Sequence, residues 1–300
     1  MADGTAAARA THATVGALAA AMTEVLAPRM GEVALREARE LLAALHDMPR
    51  HWATVEHAAQ VSADDWARGL LAAERRSRGA PLQYAAGRAA FRHLTLDVDE
   101  RVLIPRPETE QLVDAVLEAL GGRTGGIAVD VGTGSGAIAL SLASEGRFDR
   151  VIATDVSTDA LAVAGANVAK CGAALRSPVE LRAGSLLGPV PERPLCAIVS
   201  NPPYIAWTER DLLPASVRDW EPPVALFAED EGMDATARLV REAAEALGPA
   251  GLLALEVDSR RASLAAELVA TAGVFERVRV LLDLTGRERF VVATRGEESR

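Results

Sequence analysis

Apolar and polar positions divide this chain into two stretches of different period. Through the first 80 or so residues the apolar positions recur at helical spacing, with Val33, Leu35, Ala38, Leu41, Leu42 and Leu45 as one run. Ser62 and Asp65 have the spacing of a capping box, and Trp66, Leu70 and Leu71 follow as an apolar stripe. No β-rich run interrupts this part, so it predicts a small helical bundle without the residue types of a catalytic centre. The pattern changes near Gly79-Ala80-Pro81. Between Phe91 and Leu103, Leu94, Leu96 and Val98 alternate with Thr95, Asp97 and Asp99, which predicts a strand or hairpin. Pro105 and Pro107 break the chain. Pro107 with Glu108 and Glu110 then predicts a helix start, running to about Leu120 and ending at Gly121-Gly122.

From there strands and helices alternate. Strands are expected at Ile127–Val131, Val151–Thr154, Val179–Arg182, Cys196–Ser200 and Leu252–Val257. Helices are expected at Ala137–Glu145, Asp159–Lys170, Ala235–Leu247 (ended by Gly248-Pro249) and Arg261–Ala272. Val278–Leu282 and Phe290–Ala293 read as a closing antiparallel pair. This alternation predicts an α/β doubly wound, Rossmann-like sheet. Three parts are expected: a helical domain at 1–80, a linker with a β-hairpin at 81–107, and the α/β domain at 108–300. In such sheets ligands bind at the carboxyl ends of the strands, so the motifs there carry the chemistry.

Composition narrows the classes. With 49% hydrophobic and 25% charged residues over 300 positions, wholesale disorder is excluded. A net charge of −10, with Lys170 the only lysine, argues against holding nucleic acid mainly by charge. Cys171 and Cys196 make neither a disulfide framework nor a metal cluster, and Cys196 reads as a buried strand cysteine. The scattered histidines show no metal-ligand spacing. Asp3, Arg9 and His12 break up the pattern of a signal peptide, and no apolar run is long enough for a membrane span. A soluble cytoplasmic protein is expected.

Two segments at strand ends stand out. Asp130-Val131-Gly132-Thr133-Gly134-Ser135-Gly136 leaves the first strand of the α/β part and opens a helix. Glycines let the backbone turn sharply and approach a ligand closely. The spacing is not that of a dinucleotide fingerprint, and the Lys of a phosphate-binding loop is absent. Asp155 ends the next strand, where a carboxylate accepts from both ribose hydroxyls or, alternatively, caps the following helix, a role Ser157 or Asp159 could also fill. Loop and acid together point to S-adenosylmethionine, which carries adenosine but no phosphate. The second segment, Ser200-Asn201-Pro202-Pro203-Tyr204, closes a buried strand. Two prolines remove two backbone donors, so carbonyls and the Asn201 side chain face a ligand without competing N–H groups. Such a site accepts from an NH2 group, and Tyr204 can stack on the flat group beside it.

On these residues the chain resembles the class I S-adenosylmethionine-dependent methyltransferases, and by Asn201–Tyr204 their N-methylating subset. Pro81–Gly87 with Phe91, Leu103–Glu110, Arg218–Pro222 with Gly232-Met233, and Asp283–Arg289 are similar to segments of the peptide chain release factor glutamine methyltransferases (the HemK/PrmC family). The resemblance covers roughly residues 70 to 295. It implies a fold with a methyltransferase sheet and a small N-terminal helical domain. It implies N5-methylation of the glutamine in the Gly-Gly-Gln motif of class I release factors, hence a role in translation termination, with no direct nucleic-acid substrate, no membrane and a monomer. It carries cofactor contacts to Gly132, Thr133, Gly134, Ser135, Gly136, Asp155, Leu186 and Asn201. It carries substrate contacts to Asn201, Pro202, Pro203 and Tyr204, with Asn201, Pro202 and Tyr204 catalytic and no metal. The chain departs from the family at Ser185, where an acid that reaches the adenine amino group is common. It departs again at Val257-Asp258, where a glycine is usual. Arg75, Arg76, Arg78, Arg88 and Arg92 either grip the release factor or form a solvated face. The competing readings are a methyltransferase of nucleic-acid base amines, a non-catalytic binding protein of the same fold and, more distantly, a nicotinamide oxidoreductase.

Overall fold

Helix capping and apolar spacing build the first part of the chain. In the computed structural model, which describes residues 13–297, the chain separates into two compact units. One holds the residues up to Ala89 with Ala215–Trp220, and the other holds Ala90–Pro214 with the chain from Glu221 onward. Asp3, Arg9 and His12 lie outside the described residues.

The first unit contains α1 (Val15–Met30), α2 (Ala34–Leu45), α3 (Trp52–Val55), α4 (Ala63–Ser77) and α5 (Leu82–Ala86). Thr14 caps α1 by accepting from the Ala17 N–H. Leu18, Met22 and Leu26, each four residues apart, form its buried stripe and pack with Leu41 and Leu42 of α2. The Ser62–Asp65 capping box forms on α4. Its buried face is Gly69, Ala72 and Ala73, and Leu71 is exposed, contrary to the expected stripe. Val33 and Leu35 are exposed as well, because Val33 lies in a 3-10 turn ahead of α2 and only the inward arc of the helix is covered. Two of the arginines that could have gripped a partner are committed inside this unit. Arg76 pairs with Glu37 at 3.0 Å, and Arg88 donates to the Leu45 carbonyl at 3.1 Å.

A hairpin follows, β1 (Arg88–Phe91) and β2 (Leu94–Asp97). Arg92 sits in its turn at positive φ, with Nε and Nη2 each 2.7 Å from the Glu145 carboxylate. Nη2 is also 2.7 Å from Asp114, and Nη1 donates to the Glu110 carbonyl at 2.8 Å. Arg92 is thus a staple of the second unit, not a free cation.

The second unit continues with α6 (Pro107–Leu120), β3 (Ile127–Val131), α7 (Ala137–Glu145), β4 (Arg150–Asp155), α8 (Thr158–Cys171), β5 (Val179–Ala183) and β6 (Leu195–Ser200). After these come a short parallel pair, β7 (Ile205–Ala206) with β8 (Phe227–Ala228), then α9 (Asp234–Ala246), β9 (Leu247–Glu256), α10 (Ala262–Thr271), β10 (Phe275–Leu282) and β11 (Glu288–Arg295). The seven-stranded sheet runs β10-β11-β9-β6-β3-β4-β5. Strands β9, β6, β3, β4 and β5 are parallel, and β11 is antiparallel between β9 and β10.

Alternate residues of each strand serve opposite faces. Ala128, Val151, Ala197 and Ala254 pack under α6 and α7, whereas Val129, Ile152, Ile198 and Leu253 pack under α9 and α10. Gly248-Pro249 does not separate α9 from its strand as expected. The strand begins at Leu247 and carries a bulge there, with Leu195 paired to Leu247 and Ala197 already to Leu252. Cys196 is in β6 but only half-buried, and partial burial pushes its thiol up to about 11. Val131 pairs with Thr154 on one side and Ser200 on the other, so β3, β4 and β6 end at one level. The sequence of strands reverses direction between β3 and β6, and this is the switch point where α/β sheets bind ligands.

Candidate active site

The glycine loop is held from beneath by a buried acid. Asp130 is fully buried, and its Oδ2 accepts from Thr133 Oγ1 at 2.6 Å and from the Ala139 N–H at 3.0 Å. Burial pushes its carboxyl up to about 7, against the pull of those two hydrogen bonds. The N–H groups of Gly132 and Thr133 both donate to the Thr154 carbonyl, tying the loop to β4. Asn167 of α8, also buried, donates to the Ser135 carbonyl at 2.9 Å and exchanges two hydrogen bonds with the backbone of Asp97. At Gly132 and Gly134 the loop has φ of +74° and +55°, and a Cβ added at either would meet no atom within 4 Å. The loop therefore faces open space with bare backbone.

Asp155 is not the cap of α8. Ser157 caps it, its Oγ accepting from the Ala160 N–H at 3.1 Å. The Asp155 carboxylate instead accepts from the Gly134 and Ser157 N–H groups, each at 2.9 Å, and stands at the rim of the open space. Leu186 has φ of 49°, and its carbonyl accepts from Thr154 Oγ1 at 2.9 Å. At the departing position Ser185, the hydroxyl is 3.4 Å from Arg238 Nη2.

At the end of β6, Ser200 Oγ donates to the Val131 carbonyl at 2.7 Å, locking the next strand end to the glycine loop. Asn201 Nδ2 donates to Thr109 Oγ1 at 3.3 Å, and Thr109 Oγ1 donates to Glu256 Oε2 at 2.7 Å. Thr109 and Glu256 are 4% and 1% exposed, so this chain of bonds runs inward from the site. Burial pushes Glu256 up to about 7, opposed by the Thr109 hydrogen bond and by Arg289. Asn201 Oδ1 has no hydrogen bond among the described residues. Ahead of Thr109, Arg106 Nη2 reaches both oxygens of the buried Glu221, at 2.6 and 2.7 Å. Burial raises the Glu221 carboxyl above its ordinary range, with Arg106 opposing.

These pieces enclose a cavity of about 360 Å³ within the second unit, the size of ordinary small-molecule sites. Of the residues expected from the sequence, Gly132, Thr133, Gly134, Ser135, Asp155, Leu186, Asn201, Pro202 and Pro203 line it. Gly136 lies behind the wall as the cap of α7, its ideal Cβ 3.3 Å from Leu140. The Tyr204 side chain is also outside the wall. Its hydroxyl is raised by burial and lies in the field of Glu256, Arg289, Arg106 and Asp258.

Sequence reasoning missed Thr109, Glu256, Asn167 and the Arg106–Glu221 pair as parts of the site. Thr109 lay in plain view between Glu108 and Glu110, but acids at a helix start drew the reading to the helix. Glu256 was legible only as a charged residue ending an apolar strand. The arrangement offers a glycine cradle and a carboxylate for a diol. Beside them, a carboxamide oxygen stands ready for a donor.

The family described as Methyltransferase small domain matches residues 108–213, and the family described as PrmC N-terminal domain matches residues 18–87. A release factor glutamine methyltransferase of Moorella thermoacetica is 45% identical over 76% of this chain and 79% of its own length. The protein of the same name from Cereibacter sphaeroides is 39% identical over 92% of this chain and 96% of its own. Among solved structures, a methyltransferase from Pyrococcus furiosus shares the fold with a TM-score of 0.52, at 19% identity, covering 69% of this chain and 91% of that one.

Proposed function

The chain belongs to the release factor glutamine methyltransferase family, and from that premise we propose that it transfers the methyl group of S-adenosylmethionine to the side-chain nitrogen of the glutamine in the Gly-Gly-Gln motif of class I release factors. One observation carries the reading. The β3–β6 register brings the glycine cradle and the Asn201 carboxamide to one level at the switch point of the sheet, on the wall of one cavity.

The residues present fit the cofactor. Gly132 and Gly134 leave free the room that a Cβ would take, and Asp155 offers carboxylate oxygens to ribose hydroxyls. Leu186 and Ser185, on the same wall, would flank the base. Bound there, S-adenosylmethionine supplies a methyl group on a sulfonium, a strong donor. An amide nitrogen is a poor nucleophile, so the protein's task is positioning. Asn201 Oδ1 and the Pro202 carbonyl accept from the glutamine NH2 and hold its nitrogen toward the cofactor. The paired prolines keep competing N–H groups away. Tyr204 is assigned the stacking surface for the planar amide on the resemblance alone. No side-chain base is required, because a methylated amidium is strongly acidic.

We infer further a monomeric cytoplasmic enzyme whose substrate is a protein. A net charge of −10 supports this against a base-methylating enzyme, which must also grip a phosphate backbone. Among the described residues no helix is long and apolar enough to cross a membrane. The test is methyl transfer from labelled S-adenosylmethionine to a release factor and to its Gly-Gly-Ala variant. Label is expected on the first alone, and equal labelling of both, or of neither, overturns the reading. Asn201→Ala should abolish turnover while the glycine cradle and Asp155 still bind the cofactor, and turnover near wild type would remove Asn201 from the mechanism.

A further inference from the structure

We propose that Thr109 and Glu256 are positioning residues that set which way the Asn201 carboxamide points, and so present its Oδ1 to the substrate nitrogen. The proposal rests on the reading of Asn201 as the group that holds the amide. It is carried by the count of protons along the chain of bonds.

Three elements bring the groups together. Ser200 pairs with Leu255, so Asn201, just past the end of β6, and Glu256, the last residue of β9, each follow a residue of that pair. Thr109 enters from the first turn of α6 and lies between them. A hydroxyl has one proton to give. Thr109 spends it on Glu256 Oε2 at 2.7 Å, and only lone pairs remain to face Asn201. The end of the carboxamide that meets Thr109 must therefore be the donor, Nδ2, and this leaves Oδ1 as the end turned away. Turned over, the carboxamide would set Oδ1 against a hydroxyl with no proton left, and would offer Nδ2 to the substrate NH2, donor against donor.

The direction of the relay depends on the ionisation of Glu256. As a carboxylate it can only accept, and the arrangement is fixed. As a neutral acid its O–H can donate to Thr109, which frees the hydroxyl proton for Asn201 Oδ1 and permits the turned-over state. The groups that face Glu256 are Arg289 on β11, Arg106 ahead of α6, Glu108 in α6 and the Tyr204 hydroxyl after β6. Burial and this surround hold the carboxyl near neutrality, so the balance lies within the working range of an enzyme assay. A carboxylate buried at a strand end is costly, and a single threonine hydroxyl offsets little of that cost. That expense is understandable where the charge is needed to hold a direction.

The experiment measures kcat and KM for methyl transfer to a release factor by the wild type, Glu256→Gln, Thr109→Val, Thr109→Ser and the double variant Thr109→Val/Glu256→Gln. Thermal midpoints and calorimetric S-adenosylmethionine affinity are measured alongside. Glu256→Gln and Thr109→Val are each expected to lower kcat about 10- to 100-fold, the penalty of one mispaired buried polar group. Cofactor affinity should stay within about threefold, since the side-chain hydrogen bonds of these residues run to each other and to Asn201 and not to the glycine loop. Thr109→Ser should recover most of the rate lost in Thr109→Val, and the double variant should be no slower than the slower single. The wild-type kcat should fall on the acid side with a midpoint near 7, and this limb should be absent in Glu256→Gln. Independent multiplication of the two single effects, wild-type kcat in Thr109→Val, or an unchanged acid limb in Glu256→Gln would each overturn the proposal. The Asn201 side-chain NH2 resonances, identified by their loss in Asn201→Ala, give a readout that needs no substrate. They should titrate near pH 7 in the wild type and not in Glu256→Gln. A wild type that does not methylate a release factor refutes the substrate reading, while the resonances still decide the relay.

Discussion

Gly134→Ala separates what the glycine loop does for the fold from what it does for the cofactor. In the free protein the added methyl meets no atom within 4 Å, so its cost is conformational. The residue has φ of +55°, a region that L-residues enter at a cost of about 1–2 kcal/mol. For a unit of this size each kcal/mol moves the midpoint by roughly 2–4 °C, so the free protein should lose roughly 2–8 °C in Tm. The Gly134 N–H bond to Asp155 is untouched by the change. Bound S-adenosylmethionine, however, should lie where the methyl projects. Forcing an extra methyl into a filled site costs about 1–3 kcal/mol, or about 5- to 150-fold in Kd. Thermal melting of the free protein and calorimetry with S-adenosylmethionine report the two effects separately. Gly132→Ala, with φ of +74° and equally open surroundings, should behave alike. An affinity within about twofold of wild type would mean that the methyl does not meet the ligand, and would refute the cradle. A Tm loss well beyond roughly 10 °C would mean that the loop is packed from above.

Other outcomes follow from the same contacts. Asp155→Ala removes the acceptor for the Gly134 and Ser157 N–H groups and the one proposed for the ribose, and should weaken S-adenosylmethionine binding by about tenfold or more in calorimetry; unchanged affinity would return Asp155 to a structural role. Arg92→Ala should lower Tm while leaving the KM for a release factor unchanged, because its guanidinium is spent on Glu145, Asp114 and the Glu110 carbonyl; a raised KM with unchanged Tm would restore it as a partner contact. Stability should fall from pH 6 to pH 8.5, by roughly 1 kcal/mol for each of two groups. Asp130 and Glu256 are both raised to about 7 in the folded state, so their contribution is complete below their ordinary values and is lost as pH climbs through 7. Denaturant midpoints of the wild type should show the fall and Glu256→Gln should reduce it, whereas a midpoint that rises over this interval contradicts the burial argument.

Much of the fold was legible because local signals agreed with one another. Pro107 at a helix start, Gly121 after its end, the Ser62–Asp65 box and the strand-then-glycine pattern at Ile127–Gly136 all form where the pattern puts them. Errors fell where burial depends on partners. Leu71 has the right spacing but no neighbour to cover it, and Arg92 reads as a surface charge although two acidic side chains and a backbone carbonyl converge on its guanidinium. Gly248-Pro249 looked like a stop between elements, but a bulge lets β9 begin earlier.

The sequence by itself determined the period of each element, the bare backbone of the glycine loop and the missing backbone donors at Pro202 and Pro203, since these are properties of single residues and their near neighbours. The tertiary structure decided which side chains answer them. Asn167 reaches the glycine loop from 32 positions away, and Thr109 and Glu256, 147 positions apart, share a proton behind Asn201. A hydrogen bond depends on distances of a few ångströms and on how many protons each partner holds, and spacing along a chain encodes neither once strands from distant segments lie side by side. The chemistry of the site was therefore readable at its surface, and its direction only in the packed sheet.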